Sequence, residues 1–189
     1  MRCLLLLLSS LFLISCESSV EMSTLIYQNG QYLQKDSEKV YSGMVTGLEE
    51  GKIENGIKQG AWTEYDANGQ KKSEGTFTDG FKTGPWKIYH QENGQLWKQG
   101  SYDAKGLRTG EWTTFGKDGA LWEKGNFKDD RQEGAWEYYH LTGEVRLKGN
   151  MIQGKRTGVW TYYDKEGNQT KTKTWDMGKE VSNTEVSDN

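Results

Sequence analysis

Gly84-Pro85-Trp86-Lys87-Ile88-Tyr89 is one of five copies of a single word in this chain, Gly-x-Trp-x-x-Tyr/Phe. The others run from Gly60 through Trp62 to Tyr65, from Gly110 through Trp112 to Phe115, from Gly134 through Trp136 to Tyr139, and from Gly158 through Trp160 to Tyr163. Their opening glycines lie about 24 residues apart, a period that marks a stacked array of small supersecondary units. One such unit is too short to bury a core and must lean on its neighbours. A repeated structural word also spreads its residues along a surface. That argues against an enzyme, and no catalytic residue, metal ligand or cofactor site is expected.

The stretch from Gly60 to Thr83 reads as one unit. Ala61 to Tyr65 is a strand by its aromatic content, and Asp66-Ala67-Asn68-Gly69 is a turn, with Asn-Gly supplying positive φ. Gln70 to Phe77 returns as a second strand, and Thr78-Asp79-Gly80 turns the chain again. Other copies place Asn93-Gly94, Asp118-Gly119, Thr142-Gly143 and Glu166-Gly167 at the first turn. Each unit is therefore a β-hairpin. Successive hairpins are expected to form an all-β, elongated, single-layer antiparallel sheet.

The second strand alternates with a period of two. One face carries Leu96, Lys98, Gly100 and Tyr102, then Leu121, Glu123, Gly125 and Phe127, then Val145, Leu147, Gly149 and Met151. The opposite face carries Glu74, Thr76, Lys124, Asn126, Lys148 and Asn150. A glycine at a fixed place on the apolar face leaves a gap, which a ring from the neighbouring strand is expected to cover. Replacing Gly125 with Val should then destabilise the array. In the first strand Trp and Tyr stand three apart. A bulge returns both to one face, or the two rows line opposite faces. Alternation favours opposite faces, with Tyr65, Tyr89, Phe115, Tyr139 and Tyr163 joining the second-strand aromatics and the Trp row on the other side.

Two residues break the polar face. Trp97 and Trp122 hold one equivalent position in adjacent copies, and large aromatics on a solvated face are candidates for a binding surface. Flat rings of this kind stack on sugars, as in the choline- and wall-binding repeats that these Trp-rich hairpins resemble. The competing reading packs both against a first-strand Trp. His90 and His140 directly follow a Tyr at the same repeat position and read as turn residues, without the spacing of a zinc site.

The beginning of the chain gives a location. Leu4 to Ile14 is an apolar run after Arg2, too short to span a bilayer and matched to a secretory signal. It ends in Leu13-Ile14-Ser15-Cys16, which resembles a bacterial lipobox, so Cys16 is expected to carry lipid and fix the chain to the cell envelope. Glu17 after the Cys leans towards the outer membrane. Cys3 and Cys16 are the only cysteines, so no thiol remains for a disulfide or metal. The organisation expected is a signal peptide over 1–15, a lipidated tether over 16–24, a degenerate opening repeat over 25–59, the repeat array over 60–179 and a disordered tail over 180–189.

Composition agrees with a thin aromatic sheet. Hydrophobic residues make up 33% of the chain and aromatics 12%, so the apolar material is concentrated in rings. Formal charge is -3, with acids and bases interleaved and no basic stripe, so nucleic acid is a poor candidate partner.

Finally, the residues from Gly125-Asn126-Phe127 through Asp130 to Gly134-Ala135-Trp136-Glu137-Tyr138-Tyr139 resemble the MORN repeat. They resemble most closely its bacterial variant, the YwqK-type family labelled as a toxin–antitoxin antitoxin. The resemblance covers about Leu25 to Lys179. It departs at Asp130, where the other inter-repeat turns have Gly, and at the longer connection from Tyr102 to Arg108. The resemblance implies stacked hairpins, a role in binding a protein or a membrane surface, and a cognate toxin as partner.

Overall fold

The computed structural model describes residues 19–186. Sixteen strands occur among them: β1 Ser19–Glu21, β2 Leu25–Gln28, β3 Gln31–Gln34, β4 Gly43–Thr46, β5 Glu49–Glu54, β6 Ile57–Tyr65, β7 Lys71–Thr78, β8 Phe81–Tyr89, β9 Leu96–Tyr102, β10 Arg108–Phe115, β11 Leu121–Lys128, β12 Arg131–Tyr139, β13 Val145–Ile152, β14 Lys155–Tyr163, β15 Gln169–Asp176 and β16 Lys179–Glu185. Fourteen form one sheet in the order β1-β4 and then β5 to β16 in sequence, while β2 and β3 pair as a separate hairpin. From β4 onward all pairing is antiparallel. The expected all-β ribbon of stacked hairpins is what the chain builds.

The repeated word works through a break in register. In the β7–β8 pair Thr76 faces Thr83 but Glu74 faces Lys87, so Gly84, Pro85 and Trp86 together oppose the single residue Gly75. Gly84 has φ +63, the left-handed geometry that a bulge of this kind needs and that a side chain opposes. The bulge swings Trp86 across the neighbouring strand onto Gly75. A Cβ on Gly75 would lie 2.3 Å from the indole, so only glycine can form the seat. The same seat recurs as Gly51 under Trp62, Gly100 under Trp112, Gly125 under Trp136 and Gly149 under Trp160.

Burying an indole requires a partner for its N–H. Trp86 Nε1 donates to Thr76 O at 3.1 Å, Trp112 to Ser101 O at 3.1 Å, Trp136 to Asn126 O at 3.1 Å and Trp160 to Asn150 O at 3.2 Å. In each case the acceptor is the residue after the seat glycine. Trp62 instead donates to Gln59 O in its own strand. All five indoles are at most 5% exposed. Between them stand second-strand rings, so that Trp62, Phe77, Trp86, Tyr102, Trp112, Phe127 and Trp136 form a continuous ladder of edge-to-face contacts with centroids 5.2 to 6.2 Å apart. Further on, Leu147, Met151 and Tyr138 fill the space up to Trp160.

This corrects the placement of the two aromatic rows. The Trp row, not the Tyr row, joins the second-strand aromatics, because the seat glycines share a face with Phe77, Tyr102 and Phe127 and the bulge delivers Trp there. The Tyr row lies on the solvated face, where Tyr65, Tyr89 and Tyr139 donate to Glu50, Glu74 and Glu137.

Two departures from the repeat pattern prove to be one feature. The other inter-repeat turns, such as Asp79-Gly80 with φ +50 and +81, are two-residue turns with both residues left-handed, the geometry favoured between twisted strands. Asp129-Asp130 keeps that geometry at φ +50 and +64 without a glycine. Arg108, which ends the longer connection, holds it there. Its Nε and backbone N donate to Asp130 Oδ1 at 2.9 Å, and its Nη2 donates to Asp130 O at 3.1 Å. Burial alone would raise the Asp130 carboxyl, but these hydrogen bonds outweigh it and hold the group below the usual carboxylate range.

Both ends differ from expectation. Residues 19–24 are not a tether: Ser19–Glu21 pairs in parallel with β4, and Met22–Thr24 forms one 3-10 turn. They close a small core of Leu25, Tyr41, Val45 and Ile53 at the start of the spine. At the far end Lys179–Glu185 is a strand where a disordered tail was expected. It pairs with β15 through the backbone ladder and the exposed ion pairs Lys173–Glu180 and Lys171–Glu185, and it is exposed along its whole length, so hydropathy gave no sign of it. Lys173 occupies the place of a seat glycine, opposite Trp160 as Gly75 is opposite Trp62. No further Trp can lodge there, and the array stops. The signal segment and Cys16 lie outside the described residues.

Candidate functional site

A second register break, at the other edge of the ribbon, creates a column of residues that differ in chemistry from unit to unit. In the β8–β9 pair Ile88 faces Lys98 and Tyr89 faces Leu96, so Trp97 is an extra residue without a cross-strand partner. The β10–β11 pair skips Trp122 in the same way. Equivalent breaks skip Lys72 in β7, Arg146 in β13 and Thr170 in β15. A bulged residue is freed from the ladder and its side chain is re-aimed. All five are exposed, and together they form a row along the array on the face of the Tyr residues.

Trp97 and Trp122 are 37% and 46% exposed. Neither packs against a first-strand Trp, because those indoles are committed to the opposite face. Trp97 lies beside the ring of His90, centroids 5.7 Å apart, with the Lys98 ammonium 4.4 Å from its centre. Trp122 rests over the backbone of Gly116, where an added Cβ would meet its Nε1 at 2.6 Å. Gly116 stands at the repeat position that His90 holds one unit earlier, so each indole is supported by the residue that opens its own turn.

The two indoles line an open groove of about 430 Å³, with Ile88, Tyr89 and His90 at its base and Lys72, Gln91, Glu92 and Lys117 at its rim. Its floor is fixed by hydrogen bonds. His90 is buried and its Nε2 donates to Phe115 O at 3.0 Å, since a carbonyl only accepts. His140 repeats the contact with Tyr163 O, so both histidines are turn residues, as expected, and tie one unit to the next. The Tyr89 hydroxyl donates to Glu74, and burial together with that bond pushes its pKa up to about 12. At the rim Lys117 Nζ and Glu92 pair at 2.8 Å, and Asn93 Nδ2 donates to Lys117 O, which holds successive turns together.

The opposite face has a cleft of similar size, about 400 Å³, where the rings of Trp112 and Trp136 are buried and Phe127 lies under Arg108. Lys58 lies 4.4 Å from the centre of Trp62, Lys82 4.1 Å from Trp86, Arg108 4.1 Å from Phe127 and Arg156 4.5 Å from Trp160. Four spine rings are thus capped by the chain's own cations, as Lys98 caps one side of Trp97. Exposed indole surface is concentrated at Trp97 and Trp122. Sequence alternation found that pair. It missed Lys72 and Arg146 at the same column and Lys117 and Glu92 at the rim, which an alignment of the five units on their bulges would have brought together.

Residues 58–79 and 108–129 match the model of the MORN repeat variant. Each match covers one Trp-bearing hairpin, β6–β7 and β10–β11. No curated protein matches the chain. Repeats of this kind point to a repeat-based interaction module.

Proposed function

We propose that this chain is a non-enzymatic interaction module, tethered to a bacterial envelope through lipid on Cys16, that binds a protein partner along its bulge row. The observation that carries the reading is the exposure of Trp97 and Trp122 at bulged positions of a sheet whose other tryptophans are spent on structure. A rigid ribbon with one apolar groove suits capture rather than chemistry. The lipobox residues support the envelope, and Glu17 supports its outer membrane. An envelope tether would separate the chain from a cytoplasmic toxin, so the antitoxin role is not carried forward.

A photo-crosslinking residue placed at position 97 of the full-length chain in cells tests the contact surface. A discrete protein adduct is expected there and none from position 159, which is exposed on β14. Identical adduct patterns from both positions, or no adduct at 97, would overturn the reading. In the same cells Cys16→Ser should move the chain from the membrane to the soluble fraction. Retention at the membrane would remove the lipid tether.

A further inference from the structure

The bulge row has a pitch. Its members sit on every second strand, and adjacent strands are about 4.8 Å apart, so neighbouring side chains of the row start about 10 Å from one another along the array. Read in order, the row is Lys72, Trp97, Trp122, Arg146. Two indoles therefore stand between two cations, and neither Lys72 nor Arg146 forms an ion pair among the described residues. At the rim Lys117 and Glu92 neutralise each other. The groove thus offers a repeating ligand two flat apolar steps and a positive charge beyond each.

The ligand must repeat at the same distance. A β-strand repeats every two residues, about 7 Å, and would fall out of step after one indole. A polyproline II helix repeats every three residues, about 9 Å, and presents one edge at that interval. Proline rings pack on aromatic ledges, and the preformed helix loses little entropy on binding. The exposed surface of the groove is mostly aromatic and aliphatic carbon, which suits proline rings better than the hydroxyls of a sugar chain. The unpaired cations choose the flanking residues, since like charges there would repel.

We infer that the groove binds an acidic, proline-rich segment of a partner protein in the polyproline II conformation, a deepening that rests on the reading of this face as the contact surface. Prolines three apart sit on Trp97 and Trp122, and carboxylates three residues further out on either side meet Lys72 and Arg146. The motif is ten residues long, acid-x-x-Pro-x-x-Pro-x-x-acid. Sequence order along the groove is free, because the pattern reads the same from both ends.

Titration of the full chain with the synthetic peptide EAPPAPPAPE, followed by indole fluorescence and calorimetry, tests this. Saturable binding is expected, weakened about tenfold by each of Trp97→Ala and Trp122→Ala. The peptide KAPPAPPAPK should bind at least about tenfold more weakly at low salt, with the gap closing as salt rises. The paired charge reversals Lys72→Glu and Arg146→Glu should reverse that preference. Unchanged circular dichroism melting of each variant shows that the ribbon is intact. Equal affinity for EAGGAGGAGE, or binding that survives loss of both indoles, would overturn the inference. So would binding of chitohexaose at these indoles with none of the peptide. A protein adduct at position 97 alongside failure of the peptide would sink the polyproline ligand alone and leave the interaction module standing.

Discussion

Trp136 and Trp122 stand on neighbouring strands of one sheet and share no role. Trp136 is 2% exposed, seated on Gly125 and hydrogen-bonded to Asn126 O, whereas Trp122 is 46% exposed on the other face. Residue type does not separate them. Register does: both lie at breaks in the ladder, but one break opens opposite a glycine and folds the ring inward, while the other leaves its residue unpaired at the ribbon's edge. The same device therefore serves construction on one face and recognition on the other.

Truncating each ring breaks the comparison most directly. Trp136→Ala should cost about 3–5 kcal/mol, because it removes a spine ring and leaves a cavity in a sheet with no second layer to collapse into it. Trp122→Ala should cost about 1 kcal/mol or less. Chemical denaturation of the two variants measures both, and equal losses would abolish the distinction between the faces. Next comes the seat. A valine at Gly125 must displace an indole that lies 2.3 Å from the new Cβ, so Gly125→Val should destabilise by about 1–3 kcal/mol or more. Unchanged melting would show that the seat can be vacated without cost.

The smallest effect concerns the turn beyond the spine. Asp130 is held below the usual carboxylate range, so its link to Arg108 is fully formed above the unfolded pKa, about 3.9, and is lost as pH falls through the lower folded value. Asp130→Asn should lower stability at neutral pH by about 0.5 kcal/mol, since both partners are well exposed. Melting curves of variant and parent should converge below pH 4. A constant difference across that range would assign the effect to the turn's backbone instead.

The hairpins, their turns and the covered glycines were all legible in the sequence, because Gly-x-Trp spacing and Asn-Gly or Asp-Gly pairs depend on local chemistry. The face of the Trp row was not. Alternation counts residues along a strand, and the positive φ at Gly84 and its equivalents inserts residues that the count does not see. Exposure of Trp97 and Trp122 was readable from parity, but their column-mates Lys72 and Arg146 look like ordinary surface charges until the bulges align them. The strands at Ser19–Glu21 and Lys179–Glu185 left no signal, since backbone pairing to an existing edge needs no hydrophobic pattern.

Each seat glycine comes eleven or twelve residues before the indole that fills it, from Gly51 and Trp62 through to Gly149 and Trp160. A ribosome makes the chain in that order. Every tryptophan of the spine thus emerges after its place is ready and can dock at once across a short loop, the kind of contact that forms fast. At any moment of synthesis the growing ribbon has at most one vacant seat and no ring waiting for one. Had the word been written in reverse, each indole would emerge naked and wait through another unit's translation, available to other nascent chains.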